Sequence, residues 1–443
     1  MNSIKTNIYF KVAIIIIIAL LLLIPTTMIE SLISERETTQ FTAISEVSGK
    51  WGNQQTISGP FISIPFTCTY VEKSTKDSTQ RVIEVKDFIH ILPSELNIEG
   101  DINPEQRNRG IFEIVVYNSK INISGKFLKS NFSDLDIPTE DIQFDKARLT
   151  VGINDLRGIE KQIDLNWDGK KESFNPGVIS NDVVSSGINA PISIDSRENA
   201  SYTFSFSLDL KGSQLLYFTP VGKITDVKLS SSWPNPSFNG SFLPDSRTVN
   251  TSGFKANWNV LHLNRNYPQM WTGNKYSISD SSFGIDLILP VDNYQKSYRS
   301  IRYAILFIAF TFLVFFFIEV LNKLFIHPIQ YILVGMALVV FYTLLLSISE
   351  HLNFNLAFLV SALATLLLIA GYVKAILKSE ALTYFIVAVL TILYSFIFII
   401  IQLQDFALLI GSIGIFIILG LTMYYSRKID WFSLTLNEIK KPE

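Results

Sequence analysis

About 270 mostly polar residues separate one apolar segment near the amino terminus from five crowded apolar segments after residue 300. Roughly 20 apolar residues in helix cross the hydrocarbon layer, so each of these segments is long enough to span it. The layout predicts one helix leading out, a large domain folded outside the bilayer, and a bundle where the chain returns. The expected fold class is therefore a membrane protein with one N-terminal transmembrane helix, a large β-rich (sandwich-like) outer domain and a C-terminal bundle of five transmembrane helices. Its expected parts are an anchor over 1–29, the β-rich domain over 30–300, the bundle over 301–425 and a tail over 426–443.

Composition agrees with burial in lipid. Hydrophobic residues are 48% of the 443 and charged residues only 17%, whereas soluble domains carry about a quarter charged residues. A formal net charge of −2 leaves no basic signature for nucleic acid and no acidic tail. The single cysteine, Cys68, has no partner in the chain for a disulfide, so the outer domain must be held by its own core.

The first span is expected at Val12–Ile29, after Lys5 and Lys11 and before Glu30, Glu35 and Glu37. Its exit, Ile24-Pro25-Thr26-Thr27, lacks the small-x-small pattern of a signal cleavage site, so it reads as an uncleaved anchor. Tyr303–Leu321, Ile329–Ser347, Leu356–Val373, Ala381–Ile401 and Phe406–Tyr425 follow. Lys5, Lys11, Lys323, Lys374, Lys378, Arg427 and Lys428 all fall on one face, while the links Ser349–Asn355 and Gln402–Asp405 contain no Lys or Arg. By the positive-inside rule both termini are expected in the cytoplasm and residues 30–300 outside. Lys296, Arg299 and Arg302 oppose this, but charges on a long translocated domain count little.

Glu319 precedes Lys323 by four positions, which predicts an ordinary helix-end ion pair ahead of a proton relay. Glu350 and His351 lie in one outer link, Gln402, Gln404 and Asp405 in another. The plainer reading makes them solvated turn residues that help dock the outer domain; the functional one gathers them at the outer mouth of the bundle. Ala407, Gly411 and Gly414 mark close helix packing rather than a pore.

In the outer domain, Phe204, Phe206, Leu208 and Leu210 alternate with polar residues, as do Leu149, Val151 and Ile153, and Phe254, Ala256, Trp258 and Val260; each run predicts a half-buried strand. Ile111–Tyr117, Asn118-Ser119 and Lys120–Ile123 read as a hairpin. Phe61–Ile64, bracketed by Pro60 and Pro65, reads as an edge or terminal strand. Glu30–Ser48 is expected to prolong the first helix, and 168–199 to join two β-rich subdomains. His90 and His262 have no metal-ligand spacing around them, and no nucleophile elbow or phosphate-cradling loop occurs. No cofactor is expected. Trp233, Pro234, Pro236 and Phe238 form a stiff apolar turn, read as a structural corner ahead of a recognition platform for glycan or peptide.

Several motifs lie in order along nearly the whole chain. They begin with Leu32-Ile33-Ser34-Glu35-Arg36 and Ser58-Gly59-Pro60, and continue through Phe218 to Asp245 with Ser231-Ser232-Trp233-Pro234 and Phe242-Leu243-Pro244. Pro290-Val291-Asp292-Asn293-Tyr294-Gln295-Lys296 and His327-Pro328-Ile329-Gln330-Tyr331 follow, then Ser347-Ile348-Ser349-Glu350-His351 and Gln402-Leu403-Gln404-Asp405. In this combination the chain resembles the CreD family of bacterial inner-membrane proteins; residues from about 70 to 200 carry little of the likeness. The resemblance implies a periplasmic location for the outer domain and an association with envelope stress and tolerance to wall-directed agents. It supplies no catalytic residues to carry over.

Three functions are weighed. The leading one is a non-enzymatic protein supporting cell-envelope integrity, seated in the lipid bilayer, whose periplasmic domain binds a periplasmic protein or cell-wall material. The alternative is a transporter or exporter of a small envelope-active molecule through the bundle, resting on Glu350, His351 and Asp405; no inverted repeat or broken span supports it. An envelope-modifying enzyme would need an outer carboxylate pair or an activated nucleophile. The sequence sets no oligomeric state.

Overall fold

The computed structural model describes residues 8–73, 80–128, 132–135, 137–194, 201–289, 293–403 and 406–429; the side chains at 8, 9, 68–84, 133 and 134, Cys68 among them, fall outside that description. Two compact units result, Met1–Gln40 with Val291–Glu443, and Phe41–Pro290.

The first unit holds the membrane helices. Helices α1 (Ile8–Leu21) and α2 (Leu23–Trp51) run in sequence over 42 residues from Phe10 to Trp51, so the expected extension over Glu30–Ser48 is helical. The interruption at Leu22 lies three residues before Pro25, whose ring replaces the N–H that the Leu21 carbonyl would accept. A short α3 (Asn293–Arg302) precedes α4 (Ala304–Leu321), α5 (Pro328–Ser349), α6 (Phe354–Leu377), α7 (Glu380–Gln402) and α8 (Ala407–Ser426). Six helical stretches among the described residues are long and apolar enough to cross a membrane. Their starts are set locally. His327 and Gln330 form a reciprocal cap with Pro328 in the first turn of α5, while Asn353 and Ser379 cap α6 and α7.

Aromatic rings fill the middle of the bundle. Tyr394 meets Phe307 at 4.6 Å and Phe341 at 4.8 Å, and Phe341 meets Phe358 at 5.3 Å, all edge-on, the geometry that ring quadrupoles favour. Helix α8 buries Gly414 alone, because the Phe396 ring of α7 lies where a Cβ would stand. Close helix packing, expected for Ala407, Gly411 and Gly414, holds at Gly414 only; Gly411 has open space around it.

The second unit is two β-sheets sharing one apolar core. In chain order its strands are β1 (Gln55–Lys73), β2 (Gln80–Ile91), β3 (Glu95–Arg109), β4 (Phe112–Phe127), β5 (Arg148–Ile153) and β6 (Asp164–Trp167). Then come β7 (Lys170–Ser173), β8 (Asn175–Pro176), β9 (Gly187–Pro191), β10 (Tyr202–Ser213), β11 (Leu215–Thr219) and β12 (Ile224–Ser231). The last are β13 (Pro236–Gly240), β14 (Ser246–Asn250), β15 (Gly253–Leu261), β16 (Met270–Thr272) and β17 (Phe283–Leu287). One sheet is ordered β13-β17-β11-β1-β5-β9-β8, with β2 added on β1 and β16 on β2; the other is β14-β15-β12-β3-β4-β10-β6-β7. Inward residues of both sheets make the core, the arrangement of a β-sandwich. The alternating runs face it as expected: Phe204, Phe206, Leu208 and Leu210, and Phe254, Ala256, Trp258 and Val260, are buried. In β5 the residues between Leu149, Val151 and Ile153 are buried too, so that strand is covered on both faces.

Two strand expectations are corrected. Asn118-Ser119 is no turn: β4 runs straight through it, with Asn118 facing Asn103 on β3 and Lys211 on β10. The Ser119 hydroxyl donates to the Leu210 carbonyl at 2.8 Å. The hairpin turns instead at Gly110-Ile111, where Gly110 has φ of +62°, a conformation that glycine adopts without strain. Phe61–Ile64 is no edge either, for β1 is flanked by β5 and β2 there. Its prolines are accommodated because Pro60 falls in a register shift between Ser58 and Phe61, and Pro65 lies beyond the last β5 pair, Ser63 with Arg148. Pro65 keeps its carbonyl bonded to the Gln143 N–H at 2.9 Å. The stretch 168–194 is more than a connection: β7 completes one sheet, β8 and β9 extend the other.

Candidate functional site

In the membrane unit, Glu350 caps the end of α5 and receives two bonds from the Arg36 guanidinium, from Nε at 2.6 Å and Nη2 at 2.7 Å. The Tyr294 hydroxyl of α3 donates to the same carboxylate at 2.9 Å, and the neighbouring Asn293 amide donates to the Ser349 carbonyl at 2.6 Å. Arg36, foremost, holds the Glu350 carboxyl below its ordinary range, and burial pushes the Tyr294 hydroxyl up. His351 is exposed beside this cluster. Gln402 belongs to another set, donating to Asn355 at 2.5 Å and accepting from Lys296 at 3.4 Å. Gln404 and Asp405 lie outside the described residues. Sequence reasoning singled out Glu350 but missed Arg36 and Tyr294. The available signal was an arginine among glutamates on a helix just past an apolar span, a place where a guanidinium seeks a carboxylate fork.

Glu319 departs from expectation as well. Its partner is Lys11 of the first helix, both buried, and not Lys323, which is exposed in the following link. The Ile326 N–H and the Tyr331 hydroxyl also donate to Glu319, each at 3.0 Å. Every carboxylate oxygen in this low-dielectric place is thereby satisfied, as a buried charge requires.

In the β unit the turn residues divide. Trp233 and Phe238 point into the core, with Trp233 Nε1 donating to the Asn235 carbonyl at 3.1 Å; Pro234 is exposed and Pro236 half-buried. Phe238 packs edge-on against Phe254 and Trp258 at 5.7 and 5.9 Å.

A cleft of about 850 Å³ opens in this unit. It lies where β1 and β11 begin their parallel pairing and β5 ends, a place the 183–186 segment and the 278–282 turn border. Its wall carries hydroxyls (Thr56, Ser58, Ser185, Ser186, Ser241, Ser279 and Ser282), amides (Gln54 and Asn154), the Tyr217 ring and the Asp280 carboxylate. Ser58 and Thr219 are linked at 2.8 Å and Thr219 and Ser282 at 3.1 Å, so one side of the cleft is a hydroxyl relay. Burial first, then its bond to Asp286 at 2.9 Å, pushes Tyr217 up to about 12. No Lys, Arg, His or Cys is among the lining residues. The chemistry offered is hydrogen bonding to a neutral polar ligand, with Asp280 the one acidic group among the lining residues and no cation there to hold an anion.

Deeper in the same unit, buried His90 bonds Ser63 Oγ through Nδ1 at 3.0 Å and Asp182 through Nε2 at 3.2 Å. Phe61, Phe88 and Trp271 surround the ring. Ser63 and His90 are both buried, so the three groups tie β1, β2 and the turn at Asp182 together, and the serine is not presented to a substrate. Among the described residues no three His, Cys, Asp or Glu gather as metal ligands.

Six membrane-length helices among the described residues, with a β-sandwich inserted after the first, define a multi-pass membrane protein with a large extramembrane domain. The family described as inner membrane protein CreD matches residues 7–432. Inner membrane protein CreD of Escherichia coli strain K12 is 31% identical over 439 residues, covering 98% of this chain and 96% of that protein. The chain belongs to the CreD family of inner membrane proteins. Among solved structures, an M1 zinc metallopeptidase from Deinococcus radiodurans aligns with 9% identity and a TM-score of 0.19, over 38% of each chain. A two-domain M1 zinc metallopeptidase bound to L-tryptophan aligns with 10% identity and a TM-score of 0.19, over 41% of this chain and 44% of that one. The chain thus spans less than half of those structures, and at such scores the likeness carries no argument.

Proposed function

We propose that this is a non-enzymatic inner-membrane protein supporting cell-envelope integrity or the envelope stress response. Its termini lie in the cytoplasm and its β unit is a periplasmic binding module. The cationic face formed by Lys11, Lys323, Lys374, Lys378, Arg427 and Lys428 supports that orientation. The observation that carries the binding role is the cleft of about 850 Å³, where hydroxyls and amides stand among apolar side chains and no Lys, Arg or His is among the lining residues. Its hydroxyls and amides suit a neutral, hydroxyl-rich partner such as wall glycan better than an acidic one. Export through the bundle has no comparable support: aromatic rings fill the helix centre and Arg36 occupies Glu350.

A photo-crosslinking residue at Ser186 or Ser282 of the full chain in cells tests the reading. Adducts with wall material or a periplasmic protein are expected. Adducts only with cytoplasmic proteins, or envelope phenotypes insensitive to bulky cleft substitutions in a normally expressed chain, overturn it.

A further inference from the structure

A second cavity, of about 400 Å³, lies wholly within the membrane unit, between α4, α7 and α8. It exists because α8 touches α7 through the Gly414–Phe396 contact and buries nothing else along its length. The groove wall is apolar (Phe310, Val314 and Phe317 of α4, Phe385 and Val389 of α7, Leu421 of α8), and its few polar groups, Asn322, Thr422 and Tyr425, stand together at one end. From Phe310 to Leu321 it extends about 16 Å along α4 at roughly 1.5 Å per residue, close to the depth of one leaflet, about 15 Å.

Exposed cations flank that polar end among the described residues. Lys323 follows Asn322 directly and is exposed, as are Arg427 and Lys428 just past α8. Lys428 Nζ lies 5.4 Å from the centre of the Tyr425 ring that lines the groove, and Arg427 sits over the Tyr424 ring at 4.2 Å. Glu380, an exposed carboxylate at the start of α7, is paired with Lys374 at 3.0 Å. An apolar slot of one-leaflet depth with cations at its mouth matches an amphiphile with one negative headgroup.

We propose that this groove is a binding site for an anionic phospholipid. One acyl chain lies between α4, α7 and α8, and the phosphate meets Lys323 and Lys428. The site is independent of the cleft in the β unit and of what that cleft binds.

Titration of the lipid-stripped full chain in detergent with phosphatidylglycerol, and separately with phosphatidylethanolamine of the same acyl chains, tests the site by native mass spectrometry. Each interfacial cation favours an anionic lipid about five-fold, so phosphatidylglycerol is expected to bind roughly 25-fold more tightly when both act. Lys323→Gln with Lys428→Gln, both on exposed side chains, should bring the two lipids within about two-fold of each other. Val389→Trp, or Leu313→Trp from the opposite wall, should remove one bound lipid of either kind. Equal affinities for the two lipids in the native chain overturn the proposal. So does a bound lipid that survives both tryptophan variants, or a native dimer that either variant turns into a monomer, since a second copy would then fill the groove.

Discussion

Lys11 and Glu319 form a buried ion pair between the first helix and α4, and the same helix is tied again by Arg36 to Glu350 beyond α5. Positions 11 and 36 are 25 residues apart, about 37 Å of helix, slightly more than the roughly 30 Å of the hydrocarbon layer. Two charged ties at the two ends of its crossing therefore fix where the first helix sits against the bundle. An apolar span so little buried against the bundle would otherwise slide or tilt freely.

The inner tie should behave as a buried pair. Lys11→Met or Glu319→Gln alone strands one charge and is expected to cost about 3–5 kcal/mol, read as a lower thermal transition of the full chain in detergent. Lys11→Met with Glu319→Gln removes both charges yet keeps an acceptor for Tyr331 and Ile326, and should recover most of the loss. A double variant no better than the singles would show that the ion pair is not what holds α1.

The outer tie is more exposed and should be worth less. A double-mutant cycle with Arg36→Ala and Glu350→Ala is expected to give a coupling of about 1 kcal/mol that shrinks in salt, because half-open pairs are screened. Arg36→Lys should keep less than half of it, since an ammonium cannot reproduce the two-pronged contact. With the Glu350 carboxyl held low by Arg36, the coupling is present above about pH 4.3, the unfolded carboxylate value, and fades as pH falls through the lower folded one. A coupling that persists unchanged at pH 2 would contradict this.

His90 makes the β unit acid-sensitive. Burial pulls its pKa below the ordinary value of 6.5, with Asp182 only partly opposing. Above pH 6.5 folded and unfolded forms are both neutral there; below it the unfolded chain takes up a proton that the folded one resists. Stability should therefore fall with pH from 6.5 down to the folded pKa, by up to about 1.4 kcal/mol per pH unit. His90→Gln should flatten this slope in pH-dependent unfolding, and an unaltered slope would assign the effect elsewhere.

The apolar turn separates a core role from a recognition role by its own residues. Phe238→Ala is expected to destabilise the unit by about 3–5 kcal/mol through a cavity beside Phe254 and Trp258, whereas exposed Pro234→Ala should shift stability by under about 1 kcal/mol. If Pro234→Ala instead abolished an envelope phenotype at unchanged stability, the turn would be a contact surface.

Legibility followed the range of the interaction. Alternation in β10 and β15 is local to a few residues, so both strands and their buried faces were read correctly. Asn118-Ser119 looked like a turn because its residue types favour one. It became mid-strand because β3 and β10 supply ladder partners on both sides, which no local window contains. Pro60 and Pro65 suggested an edge for the same reason, and the register shift and the early end of β5 removed the conflict. Within the polar cluster Glu350 was visible from its place in an outer link, but its partner is 314 positions away.

From the sequence alone came the count and placement of the membrane helices, the helical extension of the first one, and the β character of the inserted domain. Transfer from water to hydrocarbon, and the two-residue period of a half-buried strand, are written into short stretches of chain. Tertiary structure alone decided that Lys11, not Lys323, neutralises Glu319, that Arg36 and Tyr294 meet Glu350, and that a cleft opens beside β1. Burial removes the water that would otherwise satisfy each charge, so the partner is whichever side chain the packing brings within reach, however far along the chain it lies.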